Sequence, residues 1–163
     1  MKKTVLFTAI TFIVAVFIFY MSSQNGSVSG GESFGIIKYI VGISGIPVDF
    51  PTKKIAEKVQ RKKAHFILYM IFGIFSGLSL YGICGAKNRK RPVVVIWLSA
   101  VLIVILYAAS DEIHQIFVDG RSCEVRDILT DTAGGAAGAG MAILIGRFGK
   151  KKNKNTKKTQ KIF

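Results

Sequence analysis

Apolar residues along this chain fall into four long blocks rather than into stripes with a helical repeat. The blocks occupy approximately residues 4–21, 64–86, 92–112 and 128–146. Each is long enough to cross a hydrocarbon core of about 30 Å at roughly 1.5 Å per helical residue. Helices of soluble proteins need a polar face, which these blocks lack. The pattern therefore predicts an all-α, polytopic membrane protein, built as a four-transmembrane-helix bundle.

The first block needs a separate test, because a basic N-terminus followed by an apolar stretch is also typical of a secretion signal. A signal core is short and ends in small residues near a cleavage site. This block is longer and ends in Phe17–Met21, which are bulky and largely aromatic. We interpret it as a retained membrane span.

Basic residues predict the orientation of the bundle. With four spans, one side carries both termini and the loop at 87–91, with roughly 14 basic residues and no acid. The other side carries roughly nine basic residues mixed with acids. We therefore expect both termini in the cytoplasm and place the protein in the plasma membrane of a bacterium, a source that the family resemblance below implies.

One basic cluster does not fit this rule. Arg61, Lys62 and Lys63 directly precede the second span on the predicted outer face. The charge bias weakens next to long loops, which would explain the cluster without any function. Alternatively, at least one of these lysines belongs to a binding site.

The predicted organisation is a single membrane domain at residues 1–149, with an extracytoplasmic segment at 22–63 that could cover the outer end of the bundle as a lid. Residues 150–163 form a basic cytoplasmic tail without apolar periodicity, which we expect to be unstructured. Such a tail suits anionic membrane lipids, whereas no nucleic-acid-binding fold accompanies it.

Polar residues concentrate at the predicted outer ends of three spans. Ionisable groups in or near the bilayer are energetically unfavourable, so their clustering there indicates a functional site. The second span contributes Lys62, Lys63, His65 and Tyr69; the third Asp111, Glu112, His114 and Gln115; the fourth Asp127 and Asp131; and the loop before it Arg121 and Arg126.

Helical spacing orders these residues further. Asp111, His114 and Gln115 share a face of the third helix, whereas Glu112 is expected to point partly away. Asp131 shares its face with Gly134 and Gly138, whose small side chains allow close helix packing in lipid. Asp131 should therefore face the bundle interior and needs a partner, for which Lys62, Lys63, His65, His114, Arg121 and Arg126 are candidates.

At this point the residues resemble the VanZ-like family. The resemblance is carried by Ser110–Phe117 (SDEIHQIF), Gly120-Arg121, Asp127–Leu129 before a glycine-rich helix, Lys62/Lys63 with His65-Phe66 and Tyr69, and Phe19–Gln24. It implies a small bacterial integral membrane protein related to one associated with reduced sensitivity to teicoplanin-type glycopeptides. The chain departs from the family pattern at Asp119, where Pro is frequent, and at Asp131, where Asn is frequent.

Three hypotheses for the function follow. In the first, Lys62, Lys63, Arg121 and Arg126 bind an anionic envelope lipid, a cell-wall lipid precursor or a lipoglycopeptide. The acids Glu112, Asp127 and Asp131 would orient these basic side chains. Together with Tyr69 and Gln115 they complete the predicted ligand-binding residues. A purely structural hypothesis, the third, is that the cluster is a buried ion-pair network that only fixes helix register.

The second hypothesis is an enzyme acting on an envelope lipid or glycolipid. His114 or His65 would serve as acid or base, oriented by Asp111 or Glu112, with Arg121 stabilising negative charge. No nucleophile motif supports it, and no metal or cofactor is predicted because the spacing of metal-ligand motifs is missing. A metal-dependent variant with His65, His114 and carboxylates as ligands is the alternative. The two cysteines, Cys84 and Cys123, lie at opposite ends of the bundle and predict no disulfide.

Overall fold

The computed structural model describes residues 2–24, 50–86, 91–119, 121 and 123–159, and over these residues the chain is helical without strands. The helices are α1 (Lys2–Ser22), α2 (Phe50–Ala86), α3 (Val93–Gln115) and α4 (Val125–Thr159). Most of the proposed outer lid and of the 87–91 loop lie outside the described residues, as does the end of the tail.

Each helix contains a segment long and apolar enough to cross a membrane. These segments are Lys2–Ser22, Lys62–Gly85, Val93–Gln115 and Val125–Arg147. The predicted four-span bundle is thus confirmed, with span boundaries moved by a few residues. The side chains that point outwards are large and apolar, as on Phe12, Leu98 and Leu144, which are about half or more exposed and suit contact with lipid.

Two helices extend beyond their spans. α2 begins at Phe50, twelve positions before its span. α4 continues to Thr159, so the expectation of an unstructured backbone at 150–159 was wrong. The sequence of this stretch contains neither Pro nor Gly, and Lys is a good helix former. A helix already nucleated in the span can therefore propagate into the tail.

The closest packing in the bundle joins α2 to α4 through small residues. A Cβ added to Gly138 would collide with the Met70 carbonyl oxygen, and one on Gly134 with the Phe66 carbonyl. Gly73 on α2 meets the backbone of Gly135 in the same way. This confirms that the Gly134/Gly138 face is turned inwards. The matching contribution of Gly73 from α2 was not predicted from the sequence.

The apolar core lies where α1, α2 and α3 meet. Ile18, Tyr69, Phe72, Val104 and Ala108 are buried together there. The adjoining Tyr107 hydroxyl donates a hydrogen bond of 2.5 Å to the Ala15 carbonyl, which ties α3 to α1. This layer fixes the helices from which the polar side chains project.

Candidate functional site at the polar end of the bundle

Four helix ends meet at one side of the bundle. α1 ends at Ser22 and α3 ends at Gln115, while the spans of α2 and α4 begin at Lys62 and Val125. We call this side the polar end. Because the chain alternates direction, residues that are distant in sequence arrive at the same depth.

Asp111 joins α1 to α3 within the polar end. Its side chain is 2 % exposed. Its Oδ2 accepts hydrogen bonds from the Ser22 hydroxyl at 2.8 Å and from the Gln115 amide at 3.2 Å. Its Oδ1 is buried and accepts no hydrogen bond from the part of the chain that the structure describes. Asp111 thus has one oxygen held in place and a second oxygen available to a ligand.

Asp131 faces the bundle interior, as the helical spacing predicts. It is 1 % exposed, and neither carboxylate oxygen accepts a hydrogen bond from the described residues. Of its candidate partners the structure places His65 beside it, with Nδ1 3.5 Å from Oδ2. Donor atoms of His65, Asp111 and Asp131, from three helices, lie within 4.8 Å of one another.

Glu112 also lies inside the polar end, so the expectation that it points partly away was wrong. It is 1 % exposed and accepts a 2.9 Å hydrogen bond from the backbone amide of Glu124. The chain after α3 folds back over this side of the helix and buries it. Helical periodicity alone does not reveal this, because the cover comes from a loop.

Lys62 neutralises acids at the start of α4. Its Nζ lies 3.2 Å from a carboxylate oxygen of Glu124 and also forms an ion pair with Asp127. The neighbouring Lys63 is exposed. The two lysines therefore have different surroundings, although they are neighbours in one basic cluster of the sequence.

Two cavities adjoin these lysines. A pocket with a free volume of about 10 Å³ is lined by Lys62, His65, Glu112, Gln115, Asp127, Thr130 and Asp131. A larger, more open groove of about 390 Å³ is lined by Lys62, Lys63, Phe66, Ile67 and Thr130. The pocket has room for about one water-sized group, whereas the groove can receive part of a larger molecule.

His114 lies apart from the pocket. Its ring stacks on Phe19 with centroids 4.3 Å apart, and its Nε2 is 3.0 Å from the Ser23 hydroxyl. No hydrogen bond joins His114 to Asp111 among the described residues. The structure therefore brings His65, rather than His114, into the cluster with Asp111 and Asp131.

Arg121 is directed at the end of α1. It donates hydrogen bonds to the carbonyl oxygens of Met21 at 3.1 Å and Gln24 at 3.0 Å. A cation at a helix C-terminus satisfies orphan carbonyls and complements the helix dipole. Arg126 is exposed and does not line either cavity.

Three further residues of the polar end were not predicted as site residues, although Ser22 and Ser23 lie in the Phe19–Gln24 segment of the resemblance. Ser22 and Ser23 end α1 and hold Asp111 and His114, while Thr130 lines both cavities. The signal for the serines was present, because they are the first polar pair after an apolar span. Thr130 carried no signal, since a lone threonine in a membrane helix usually bonds its own backbone.

Comparison with known protein families supports the fold and the resemblance together. Neither a curated protein nor a solved structure matched the chain. The VanZ/LLP1 family matches residues 7–146, a range that covers the second and third spans, most of the first and fourth, and the polar end. The match covers most of the 163 residues. The chain is therefore a membrane protein that belongs to the VanZ/LLP1 family.

Proposed function

We propose that the protein contributes to tolerance of teicoplanin-type glycopeptides or other envelope-directed antibiotics by binding an anionic envelope lipid, or a lipid-linked cell-wall precursor, at its polar end. The groove between α2 and α4 carries this proposal. It combines an apolar wall inside the membrane with lysines at its polar rim. This combination suits a molecule with a hydrocarbon chain and a negatively charged headgroup.

The residues that line the groove match the two parts of a lipid molecule, because apolar side chains lie deeper in the membrane and lysines lie closer to its surface. Phe66 and Ile67 lie one turn deeper in α2 than Lys62 and Lys63. A chain packed against Phe66 and Ile67 would bring its headgroup to the level of the lysines. A basic side chain near the membrane surface contributes about 1 kcal/mol to the binding of an anionic lipid.

Lys63 is the better candidate for the headgroup contact. Lys62 is already engaged by Glu124 and Asp127, and Arg121 by carbonyl groups of α1. Lys63 is exposed where the groove opens. Its position also favours the second explanation for the basic cluster before α2, in which a lysine belongs to a site.

The proposal places the polar end at the outer leaflet of a bacterial plasma membrane. The strongly basic opposite side supports this orientation, since cytoplasmic loops are enriched in Lys and Arg. Lipid-linked cell-wall precursors reach the outer leaflet, where glycopeptides act. A protein that holds such a lipid would change how the antibiotic reaches its target.

The cell-based test compares two lysines at opposite ends of the bundle. Lys63→Ala and Lys3→Ala are expressed in a strain in which the intact protein protects against teicoplanin, and membrane levels are matched. We expect Lys63→Ala to lose most of the protection and Lys3→Ala to retain it. Full protection by Lys63→Ala would refute the role of the groove.

The second candidate function is an enzyme that modifies an envelope lipid by acid–base chemistry. The observation in its favour is the His65–Asp131 pair beside the small pocket, which favours His65 over His114 as the acid–base group. Incubation of purified protein with labelled envelope lipids separates the two functions. Turnover lost in His65→Ala would favour the enzyme, whereas retention of unchanged lipid favours the binding protein.

A further inference from the structure

We propose that His65, Asp111 and Asp131 form a binding site for a divalent transition-metal ion of the zinc or manganese type. One donor atom from each residue lies within 4.8 Å of the others, and the three side chains come from α2, α3 and α4. The site lies inside the bundle, next to the lysine-rimmed groove, and does not depend on lipid binding.

The spacing of the donor atoms suits a single ion. Zinc lies about 2.0–2.2 Å from imidazole nitrogen and carboxylate oxygen, so two ligands at a tetrahedral angle are separated by roughly 3.4 Å. His65 Nδ1 and Asp131 Oδ2 are 3.5 Å apart. This pair needs almost no movement to share an ion, and Asp111 requires only a modest adjustment.

The second observation is the set of buried oxygens around this point. Asp111 Oδ1 and both oxygens of Asp131 are buried and accept no hydrogen bond from the described residues. The Tyr69 hydroxyl lies in the same layer and interacts with Asp111. Buried carboxylates without hydrogen bonds are stabilised when they pair with a cation, and a metal ion bound at this point would contact carboxylates of both Asp111 and Asp131.

The surroundings of Asp111 resemble the outer shell of a metal site. Ser22 and Gln115 both donate to Oδ2, which fixes the carboxylate and leaves Oδ1 for the ion. Hydrogen bonds that orient ligating carboxylates are a regular feature of metal centres. Ser22 is itself fully buried, so this orientation is held by a packed α1–α3 contact.

The donor set selects the class of metal. Imidazole nitrogen suits zinc and related transition metals, whereas calcium and magnesium prefer sites made of oxygen ligands. Two carboxylates also neutralise a divalent charge within the bundle. His65 and Asp131 line the pocket of about 10 Å³, which has room for a water molecule as a further ligand.

The test measures metal bound to the full chain, purified in detergent with its affinity tag removed. Cys84→Ser and Cys123→Ser are introduced throughout, so that thiols do not bind zinc. After treatment with a chelator and reloading, we expect about one equivalent of zinc or manganese per chain, and much less magnesium or calcium. Asp131→Asn and Asp111→Asn should abolish this binding, while Asp119→Asn in the exposed loop should retain it.

Two further measurements distinguish the loss of metal ligands from a failure of the variants to fold. Ser22→Ala should bind the metal about 10- to 100-fold more weakly with unchanged helicity. X-ray absorption of the zinc-loaded parent protein should show one imidazole ligand together with oxygen ligands. Substoichiometric binding of all four metals by the parent protein would overturn the proposal, as would undiminished binding by folded Asp131→Asn.

Discussion

Neighbouring residues at the end of α3 have different surroundings, which sequence spacing only partly predicts. The inward direction of Asp111 and Gln115 followed from periodicity, and so did that of Asp131 on α4. The burial of Glu112 did not, because it depends on the amide of Glu124 in a loop that folds back. Periodicity describes one helix, whereas loop covering is a property of the assembled chain.

The pKa of the Cys123 thiol depends in part on the charge of Glu112. Partial desolvation raises the pKa of this thiol above its usual range, and the negative charge of Glu112 and a hydrogen bond to it act in the same direction. A raised pKa means less thiolate at neutral pH, so labelling by a maleimide should be slow and rise about tenfold per pH unit below the pKa. Glu112→Gln should lower the pKa and accelerate labelling at pH 7.5.

The labelling is measured in a Cys84→Ser background with detergent-purified protein. Asp119→Asn provides the control, because it removes a nearby exposed acid that is not among those raising the Cys123 pKa. Equal labelling rates for Glu112→Gln and the parent protein would show that Glu112 does not act on this thiol.

Individual helices were the most predictable level of the structure. Long uncharged apolar blocks have few alternatives to transmembrane helices, because backbone N–H and C=O groups within lipid must be hydrogen-bonded inside the protein. The extension of α4 to Thr159 was missed, because apolar periodicity carries no information about a polar helix that continues an apolar one. The glycines of α4 were predicted to pack inwards, but their opposing surface on α2 was not identified.

Two glycines of α4 allow a matched test of this packing. A methyl group at Gly138 would meet the Met70 backbone, whereas at Gly140 the closest atom is Trp97 Nε1 at 3.8 Å. Gly138→Ala should therefore destabilise the bundle by about 1–3 kcal/mol or more through overpacking. Gly140→Ala should be neutral or slightly stabilising, because Ala favours the helix more than Gly does.

Unfolding in mixed detergent micelles, followed by circular dichroism, measures both variants. Similar midpoints for Gly138→Ala and Gly140→Ala would mean that α2 and α4 are not in backbone contact at Met70.

At the scale of the whole molecule, charge is divided between the two ends of the bundle. All nine acidic residues belong to the polar end or to the segments attached to it, while the opposite end is purely basic. The sequence was sufficient to predict this polarity and the meeting of three helices at one site. The pairing of Lys62 with Glu124 and the α2–α4 groove required the packed structure.

The proposed orientation predicts different accessibility for the two cysteines. Cys123 is exposed beside the polar end, whereas Cys84 lies near the opposite end of the α2 span. In intact cells a membrane-impermeant thiol reagent at pH 8 should label Cys123 and leave Cys84 unlabelled until the membrane is opened. Labelling of Cys84 alone would reverse the orientation and place the polar end in the cytoplasm.

The most direct test of the account measures lipid bound to the purified protein. The full chain is incubated with equal amounts of phosphatidylglycerol, phosphatidylcholine and a polyprenyl-phosphate precursor, and the retained lipid is identified by native mass spectrometry. We expect preferential retention of a phosphate-bearing anionic lipid, about fivefold reduced in Lys63→Ala and unchanged in Lys3→Ala. Equal retention of neutral and anionic lipids, or equal retention by Lys63→Ala and the parent protein, would contradict it.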